Sequence, residues 1–436
     1  MPDASPPQDS RRSAALSLWA IGLGYLIFPI SLKFGFNLIL LGIVLELFRR
    51  NLQSDWTFIR TDPLAIVLAA SFFLALLGAS YSVASWDSGI NWTLTRYWKY
   101  MVAILLIALM RNVEFRKIAI YAFFAAISFI VVSMYLSIWW QLPWSATKNL
   151  GFNQDHTVIG DYITQNLMVT LYILIGIHFA IAAPSWAKKA CWLASAIFGV
   201  IAIFFFSPGR TGYLLTTFAV SLFFLIKIKS KYKWLAPIFL TTFAFTAYKT
   251  NEIIHTRVNT GVQEAKTAIA QISNSVQPDF SSIGARIYMW ENTWKLIKQR
   301  PFFGWGLGSY KTKWCEQVNY SSWCNPAFSE HPHNQYLMAW VELGLPGVIL
   351  LLLFIAIPIR KAMQAPEYAA LMVSFIGFFA LDCFFNGPLW VRMEYHFFLL
   401  MIPVVYSLAI HAKADTAPDL HQPRQGQRTP RPHRGP

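Results

Sequence analysis

Apolar runs of bilayer-crossing length recur along almost the whole chain, and this feature restricts the fold more than any other. A transmembrane helix needs about 17 to 25 predominantly apolar residues. Only 13% of the 436 residues are charged, whereas soluble domains carry about 25%. The sequence therefore predicts an all-α polytopic membrane protein in which residues 1–410 form a single transmembrane domain.

About twelve spans follow from the apolar runs and from the polar breaks between them. We place them near residues 14–30, 34–48, 63–80, 98–110, 117–138, 163–183, 190–206, 212–226, 234–249, 344–359, 366–384 and 393–410. Residues 411–436 are rich in Pro, Gln and Arg and almost free of apolar side chains, so we expect a disordered cytoplasmic tail there.

The distribution of basic residues predicts the orientation of the chain. There are 36 Lys and Arg residues against 21 Asp and Glu, a net charge of +15. In a soluble protein this excess would suggest a nucleic-acid partner, but here the basic residues lie mainly in alternate short loops. The positive-inside rule then places both termini in the cytoplasm, with membrane lipids as partners and no nucleic acid.

One long loop dominates the opposite side of the predicted membrane. It covers residues 250–333 and holds two stretches with amphipathic helical spacing, near 258–273 and 283–299. A loop of this length is more than a connector. A second segment on the same side, 139–165, carries tryptophans typical of the membrane interface. We expect these two segments to roof a common cavity.

Two cysteines of the long loop, Cys315 and Cys324, are candidates for a disulfide. An oxidising compartment outside the membrane would favour this bond. The alternative is a pair of free thiols, because spacing alone does not establish the geometry that a disulfide requires.

A glycine-rich run follows the second amphipathic stretch. Gly304, Gly306 and Gly308 in the sequence GWGLGS suggest a nucleotide-binding loop. That interpretation requires a preceding strand and a following helix in a βαβ unit, and this context is missing here. We instead predict a compact turn in which backbone segments approach closely.

The motif that follows carries a resemblance to a known family. His333 and Asn334 are followed by nine residues and then Gly344, and two further residues separate Gly344 from Gly347. With about twelve spans and a large loop before the motif, the chain resembles an O-antigen ligase over essentially its whole length. The wider superfamily includes O-antigen polymerases and protein O-oligosaccharyltransferases.

The resemblance implies a GT-C-like glycosyltransferase of the Gram-negative inner membrane with its active site facing the periplasm. Such an enzyme transfers O-antigen polysaccharide from undecaprenyl pyrophosphate to a sugar hydroxyl of lipid A-core and so completes lipopolysaccharide. The implied partners are the lipid-linked donor and the lipid A-core acceptor. No cofactor and no metal are implied, and the outer segments carry no Asp-rich metal motif.

His333 matches the histidine of the family motif, and we assign it the role of general base. A sugar hydroxyl is a poor nucleophile, and an imidazole can accept its proton near neutral pH. The alternative is a histidine that only hydrogen-bonds to loop backbone. His331 is the less favoured base and a candidate positioning group, while Asn334 and Gly344 support the motif.

Arg210 and Arg286 match positions where the family carries functional arginines. The planar guanidinium binds phosphate oxygens in pairs and keeps its charge, which suits a pyrophosphate leaving group. The alternatives are an interface anchor for Arg210 and a solvated helix face for Arg286.

A carboxylate at the end of the eleventh predicted span, Asp382, is costly there unless it is compensated. We expect it either to orient His333 or to pair with Arg392. Glu342 lies near the start of a span, where it either caps the helix or pairs locally.

The sequence separates ligase from polymerase poorly, because both use the same type of donor. Protein O-oligosaccharyltransferases are disfavoured, since they commonly carry a sizeable outer domain near the C-terminus. A transporter is disfavoured as well, because it would place ionisable residues at mid-span between repeated halves. Here Arg210, Arg286 and His333 are all predicted on one face.

Overall fold

The computed structural model describes residues 8–50, 52–274, 276, 280–318 and 321–415, and these ranges contain helices and no strand. The first ten helices are α1 (Gln8–Ile27), α2 (Leu32–Arg49), α3 (Leu52–Ile59), α4 (Pro63–Ser80), α5 (Asn91–Leu109), α6 (Val113–Leu136), α7 (Tyr162–Ala182), α8 (Trp186–Phe206), α9 (Arg210–Lys227) and α10 (Leu235–Thr250). They are followed by α11 (Glu252–Ser273), α12 (Ser282–Gln299), α13 (Tyr310–Gln317), α14 (Pro326–Ser329), α15 (Gln335–Ala362), α16 (Ala369–Phe385) and α17 (Arg392–Asp415). Short π-helical or 3-10 turns lie at Trp86–Ile90, Lys231–Trp234 and Ser321–Cys324.

The all-helical prediction is confirmed, and each predicted span coincides with a helix. Seven helices among the described residues are long and apolar enough to cross a membrane. Each of the about twelve predicted spans therefore corresponds to a helix. Seven described helices have the length and the apolar composition of a membrane span. Helix α3 was not predicted, because it is short and lies between two apolar runs.

Several helices begin at side-chain caps that the sequence places directly before the apolar run. The Asp62 carboxylate accepts hydrogen bonds from the amides of Leu64 and Ala65, and Pro63 occupies the first turn of α4. The Asp161 carboxylate caps α7 in the same way. Because such caps satisfy amides that have no partner within the helix, they define where each span begins.

Helix α17 lies at the centre of the bundle, where it packs against α5, α6, α7, α15 and α16. Its Tyr406 hydroxyl donates to Asp62 Oδ2 at 2.9 Å, and the Tyr25 hydroxyl of α1 donates to the Leu400 carbonyl oxygen at 2.9 Å. These polar contacts join distant parts of the chain inside an otherwise apolar core.

The described residues of 251–334, which we call the cap segment, form a separate hydrophobic core over one end of α15. Trp314 and Trp323 are fully buried there, and Trp314 Nε1 donates to the Trp323 carbonyl oxygen at 2.7 Å. Cys315 and Cys324 are joined by a disulfide with a Cα to Cα distance of 5.0 Å. The cap segment therefore has packing of its own and a covalent tie.

The predicted compact turn links the cap segment to the membrane helices. Gly304, Gly306 and Gly308 all have positive φ angles. At Gly306, where φ is +93°, a Cβ atom would lie 2.2 Å from Ser82 Cα, so only glycine fits. The Leu307 amide donates to the Gly78 carbonyl oxygen at 3.0 Å, which fastens the turn to the end of α4.

Helix α15 bends at Gly344, which has a φ of +66°. A Cβ atom there would lie 2.2 Å from the Phe302 carbonyl oxygen. Gly347, the last residue of the sequence motif, lies three residues after this bend. Gly344 thus allows the backbone of the cap segment to contact α15, whereas a Cβ atom at Gly347 would lie 2.7 Å from the Ala339 carbonyl oxygen of α15 itself.

The C-terminal boundary differs slightly from the prediction. Helix α17 continues through residues 411–415, which we had assigned to the tail. The rest of the predicted tail, 416–436, lies outside the described residues.

Candidate functional site

The two histidines of the motif lie side by side in the loop that leads into α15. Their ring centroids are 4.1 Å apart, and the backbone amide of His333 donates to His331 Nδ1 at 3.1 Å. His333 has a φ of +49°, which is uncommon for a residue with a side chain. Because His331 precedes a proline it is biased toward an extended backbone. The His331 ring thereby accepts the amide of a residue whose backbone conformation is unusual.

The histidine loop is attached on both sides. Trp290 Nε1 of α12 donates to the Pro332 carbonyl oxygen at 2.9 Å. Asn334 caps α15 by accepting from the Leu337 amide, and its Nδ2 donates to the Phe384 carbonyl oxygen of α16 at 3.2 Å. The loop is thereby held between the cap segment and the membrane helices.

Burial lowers the pKa of both imidazoles, so both are neutral at pH 7. Burial, and secondly the charge of Arg286, lower the pKa of His333 from 6.5 to about 4. The pKa of His331 lies well below 6.5, chiefly through burial and further through His333, Arg96 and Arg286. A neutral imidazole has a free lone pair, so His333 is in the protonation state that a base requires.

Arg210 is the first residue of α9, so its charge adds to the partial positive charge at that helix N-terminus. Its Nη1 donates to the Arg257 carbonyl oxygen at 3.1 Å, and its Nη2 lies 3.5 Å from Glu264 Oε2. The Arg210 side chain is 25% exposed. The guanidinium is therefore anchored from one side but still accessible.

Arg286 lies in the first half of α12. Its Nη1 donates to Ser282 Oγ at 3.2 Å, and its Nε is buried without a hydrogen-bond partner among the described residues. Burial and then the like charge of Arg210 lower its pKa. Because the charge of Arg286 also lowers the pKa of His333, the guanidinium acts electrostatically on both other candidates.

Glu264, which the sequence analysis did not identify, connects the two arginine-bearing helices. Its Oε2 accepts from the Ile283 amide in the first turn of α12 at 3.1 Å and pairs with Arg210. Gly261, one turn earlier on α11, would bring a Cβ atom within 2.5 Å of Arg210 Nη1. An acidic residue on an amphipathic helix gives no sequence signal for this role.

Asp382 makes neither of the two contacts that were predicted for it. Its Oδ1 accepts from Asn386 Nδ2 at 2.6 Å, and its Oδ2 is buried without a hydrogen-bond partner in the described ranges. His333 and Arg392 are not among its partners. The reason is local, because Asp382 lies in the last turn of α16 and faces the cap residue of its own helix. Its negative charge nevertheless acts on Arg286.

Two cavities flank this cluster. The larger, about 510 Å³, is lined by both outer segments, from Asn149 to Asp155 and from Asn251 to Glu264. This agrees with the common cavity expected from the sequence. Arg210 contributes to its wall, so we call it the α9 cavity. His333 and Arg286 are not among its lining residues.

The smaller cavity, about 200 Å³, lies between α5, α15 and the cap segment, and we call it the α5 cavity. Beside it is Arg96, a buried residue of α5 that the sequence analysis missed. Arg96 Nε donates to the Trp390 carbonyl oxygen at 3.0 Å, and its guanidinium lies 3.9 Å from the centroid of the Trp390 ring. The hydropathy pattern does not indicate that Arg96 is buried, because the residue lies at the polar start of an apolar run.

Comparison with known proteins adds a family match for part of the chain. A family model described as O-antigen ligase matches residues 194–352, a segment that contains Arg210, Arg286 and His333. This match supports membership in the O-antigen ligase and polymerase superfamily. Together with the apolar helices, it indicates a multi-pass membrane protein.

A relative from Haemophilus influenzae, described as an uncharacterized protein, is 30% identical over 203 residues. The aligned part is 44% of this chain and 48% of the relative. The chain therefore spans about half the length of the curated relative that it matches.

Proposed function

We propose that this member of the O-antigen ligase and polymerase superfamily transfers a polysaccharide from undecaprenyl pyrophosphate to a sugar hydroxyl of lipid A-core. The reaction takes place on the periplasmic side of the inner membrane. The observation that carries the proposal is Arg286, a half-buried residue whose Nε is buried without a partner in the described ranges and whose charge interacts with those of Arg210 and His333. One residue thereby couples a phosphate-binding group to a proton acceptor.

The arginines bind the leaving group. When the acceptor oxygen bonds to the anomeric carbon, the bond from that carbon to the pyrophosphate oxygen breaks and negative charge develops on the pyrophosphate. Fixed donors aimed at such charge stabilise the transition state more than the ground state. Arg286 Nε, which lacks a partner in the described structure, gains one when a phosphate oxygen arrives.

His333 accepts the proton of the acceptor hydroxyl as the new bond forms. In the unliganded protein its basicity is suppressed by burial and by Arg286. A bound pyrophosphate brings negative charge that offsets the field of Arg286 and so raises the pKa of His333. The base therefore becomes competent when the donor is in place, which limits proton abstraction without a donor.

Two carboxylates offset the charge of the arginines in the absence of donor. Glu264 pairs with Arg210 at 3.5 Å, and the charge of Asp382 acts on Arg286. Pyrophosphate competes with Glu264 for Arg210. These carboxylates are positioning residues that act through the guanidinium groups.

An O-antigen polymerase is the alternative, because it uses the same donor with a second lipid-linked glycan as acceptor. The two activities differ in their products, which an electrophoretic pattern of lipopolysaccharide separates.

The test is to express His333→Ala, Arg210→Ala and Arg286→Ala in cells that lack the native protein and to separate their lipopolysaccharide on gels. We expect core lipid without long O-chains and accumulation of lipid-linked polymer. Loss of a general base typically lowers the rate by about 10²- to 10⁴-fold and loss of one charge-stabilising donor by about 10²- to 10³-fold. Matched controls are His255→Ala and Arg300→Ala, which alter exposed residues of the cap segment and should leave long chains intact.

Two outcomes would contradict the proposal. Unaltered lipopolysaccharide in the His333→Ala strain would exclude this histidine as the base. A ladder that collapses to a single repeat in the variants would identify a polymerase instead.

A further inference from the structure

The α5 cavity holds two buried polar atoms that no protein group satisfies. Thr93 Oγ1 and Glu342 Oε1 both lack a hydrogen-bond partner among the described residues. The two residues are 1% and 3% exposed, and both line this cavity. Buried polar atoms are nearly always hydrogen-bonded, and leaving them unpaired is costly. Two residues that line one cavity each carry an unsatisfied polar atom, so the wall of this cavity is suited to a polar ligand.

The charges around the cavity select the kind of ligand. Asp87, Glu330 and Glu342 contribute carboxylates to the wall, against the cations of Lys311 in the wall and of Arg96 beside it. This excess of negative charge disfavours phosphorylated or acidic ligands. A metal ion is disfavoured as well, since the described residues contain no group of three or more His, Cys, Asp or Glu able to hold one. An uncharged molecule rich in hydroxyl groups fits, because hydroxyls donate to carboxylates and accept from threonine.

The size and the walls of the cavity fit a single sugar ring. Its volume of about 200 Å³ corresponds to about six or seven water molecules at about 30 Å³ each. Trp92 and Trp390 supply aromatic wall, and aromatic side chains combine a large apolar surface with a polar tip. Carbon-bound hydrogens of a pyranose pack against such surfaces while its hydroxyls reach the polar atoms.

The cavity also adjoins the histidine loop. Glu330, one of its lining residues, directly precedes His331 in the chain. The Trp390 ring lies 6.2 Å from the His331 ring, which in turn is 4.1 Å from that of His333. The α9 cavity, by contrast, shares none of its described lining residues with the α5 cavity. The proton acceptor therefore has a separate polar cavity near it, apart from the one that contains Arg210.

We infer that the α5 cavity is the subsite for an uncharged sugar of the acceptor saccharide, held by Thr93 and Glu342. This inference rests on the proposed glycan transfer and adds the position and the chemical class of the acceptor group. Binding there presents a sugar hydroxyl toward the histidine loop. Phosphorylated parts of a core oligosaccharide remain outside the cavity, because its carboxylates repel them.

The experiment uses the full chain in lipid nanodiscs, with core-only lipopolysaccharide as acceptor and lipid-linked O-antigen as donor. Thr93→Val removes the hydroxyl and keeps the shape, and Glu342→Gln removes the charge. Losing one hydrogen bond to a ligand should raise the acceptor KM about five- to tenfold. The donor KM and the kcat at saturating acceptor should stay within about twofold.

Thr95→Val is the matched control, because Thr95 lies on the same helix but is exposed and donates to the Trp92 carbonyl oxygen. It should leave the acceptor KM unchanged. Calorimetric titration with core oligosaccharide freed of lipid gives a second measurement, in which the Thr93 variant should bind about five- to tenfold more weakly. This binding measurement does not depend on catalytic turnover.

The outcomes separate this inference from the proposed function. Wild-type protein that transfers no glycan to the core lipid would overturn the proposed function itself. Wild-type protein that transfers glycan, with an unchanged acceptor KM and unchanged oligosaccharide binding in both well-folded variants, would overturn the subsite. If one variant melts at a lower temperature than the wild-type protein, the conclusion is drawn from the other variant alone. An increase in the donor KM without an increase in the acceptor KM also overturns the subsite.

Discussion

The coupling between Arg286 and His333 gives a measurable prediction for the Arg286→Gln variant. In the wild-type protein burial and Arg286 together lower the pKa of His333 from 6.5 to about 4, and burial is the larger cause. Removing the charge should therefore recover less than half of this difference. The pKa of His333 should rise by up to about one unit, which corresponds to about 1.4 kcal/mol.

The assay is nuclear magnetic resonance of protein labelled with ¹³C at histidine Cε1 and titrated in nanodiscs, with His333→Gln used to assign the signal. Below its pKa the imidazole is protonated and cannot serve as a base, so wild-type His333 should stay neutral until the pH approaches 4. Arg300→Gln is the matched control, because it removes an exposed charge at the end of α12 and should not move the titration.

Adding undecaprenyl pyrophosphate to the wild-type protein should also raise the pKa of His333, because bound negative charge favours the protonated imidazole. In Arg286→Gln this effect should be smaller, since the site binds the anion less well. The reasoning is refuted if wild-type His333 titrates near 6.5, or if Arg286→Gln leaves its pKa at the wild-type value.

Two further predictions concern the scaffold. Gly306→Ala should destabilise the protein by more than about 2 kcal/mol, because its Cβ atom would lie 2.2 Å from Ser82 Cα. Gly151→Ala, at a similar φ of +91° but with no atom within 4 Å, should cost clearly less, and equal melting temperatures would contradict the steric argument. Replacing both Cys315 and Cys324 by serine should lower the free energy of unfolding by about 2 to 4 kcal/mol and make the melting temperature insensitive to reductant. If reductant does not change the melting temperature of the wild-type protein, the disulfide does not stabilise it.

The positions of the helices were predictable because the membrane leaves the backbone little choice. A segment in hydrocarbon must satisfy its own amides and carbonyls, so long apolar runs become helices. The caps at Asp62 and Asp161 mark where two of these helices begin. The count of spans was less predictable, because an apolar run can form a helix that is too short, like α10 with 16 residues, or that contains several charged residues, like α2.

The contacts within the candidate site depend on tertiary packing that periodicity does not reveal. Glu264 meets Arg210 only because α11 packs against α9. Asp382 faces Asn386 four residues later, a pairing that competes with the longer-range contacts expected from its charge. Arg96 is buried against Trp390, which lies far away in the sequence. The contact partners of these three charged residues are therefore known only from the folded structure.

The separation of the two cavities has a practical consequence for redesign. The walls of the α9 cavity come from 149–155, 204–213 and 251–264, whereas those of the α5 cavity come from α5, the turn before it, the later part of the cap segment and α15. With Arg210 of the α9 cavity proposed to bind the donor pyrophosphate and the α5 cavity proposed to bind the acceptor sugar, hybrid proteins that exchange one set of walls should change the choice of donor without changing the choice of core, or the reverse. Such independent exchange would allow one scaffold to join many polysaccharides to a chosen carrier.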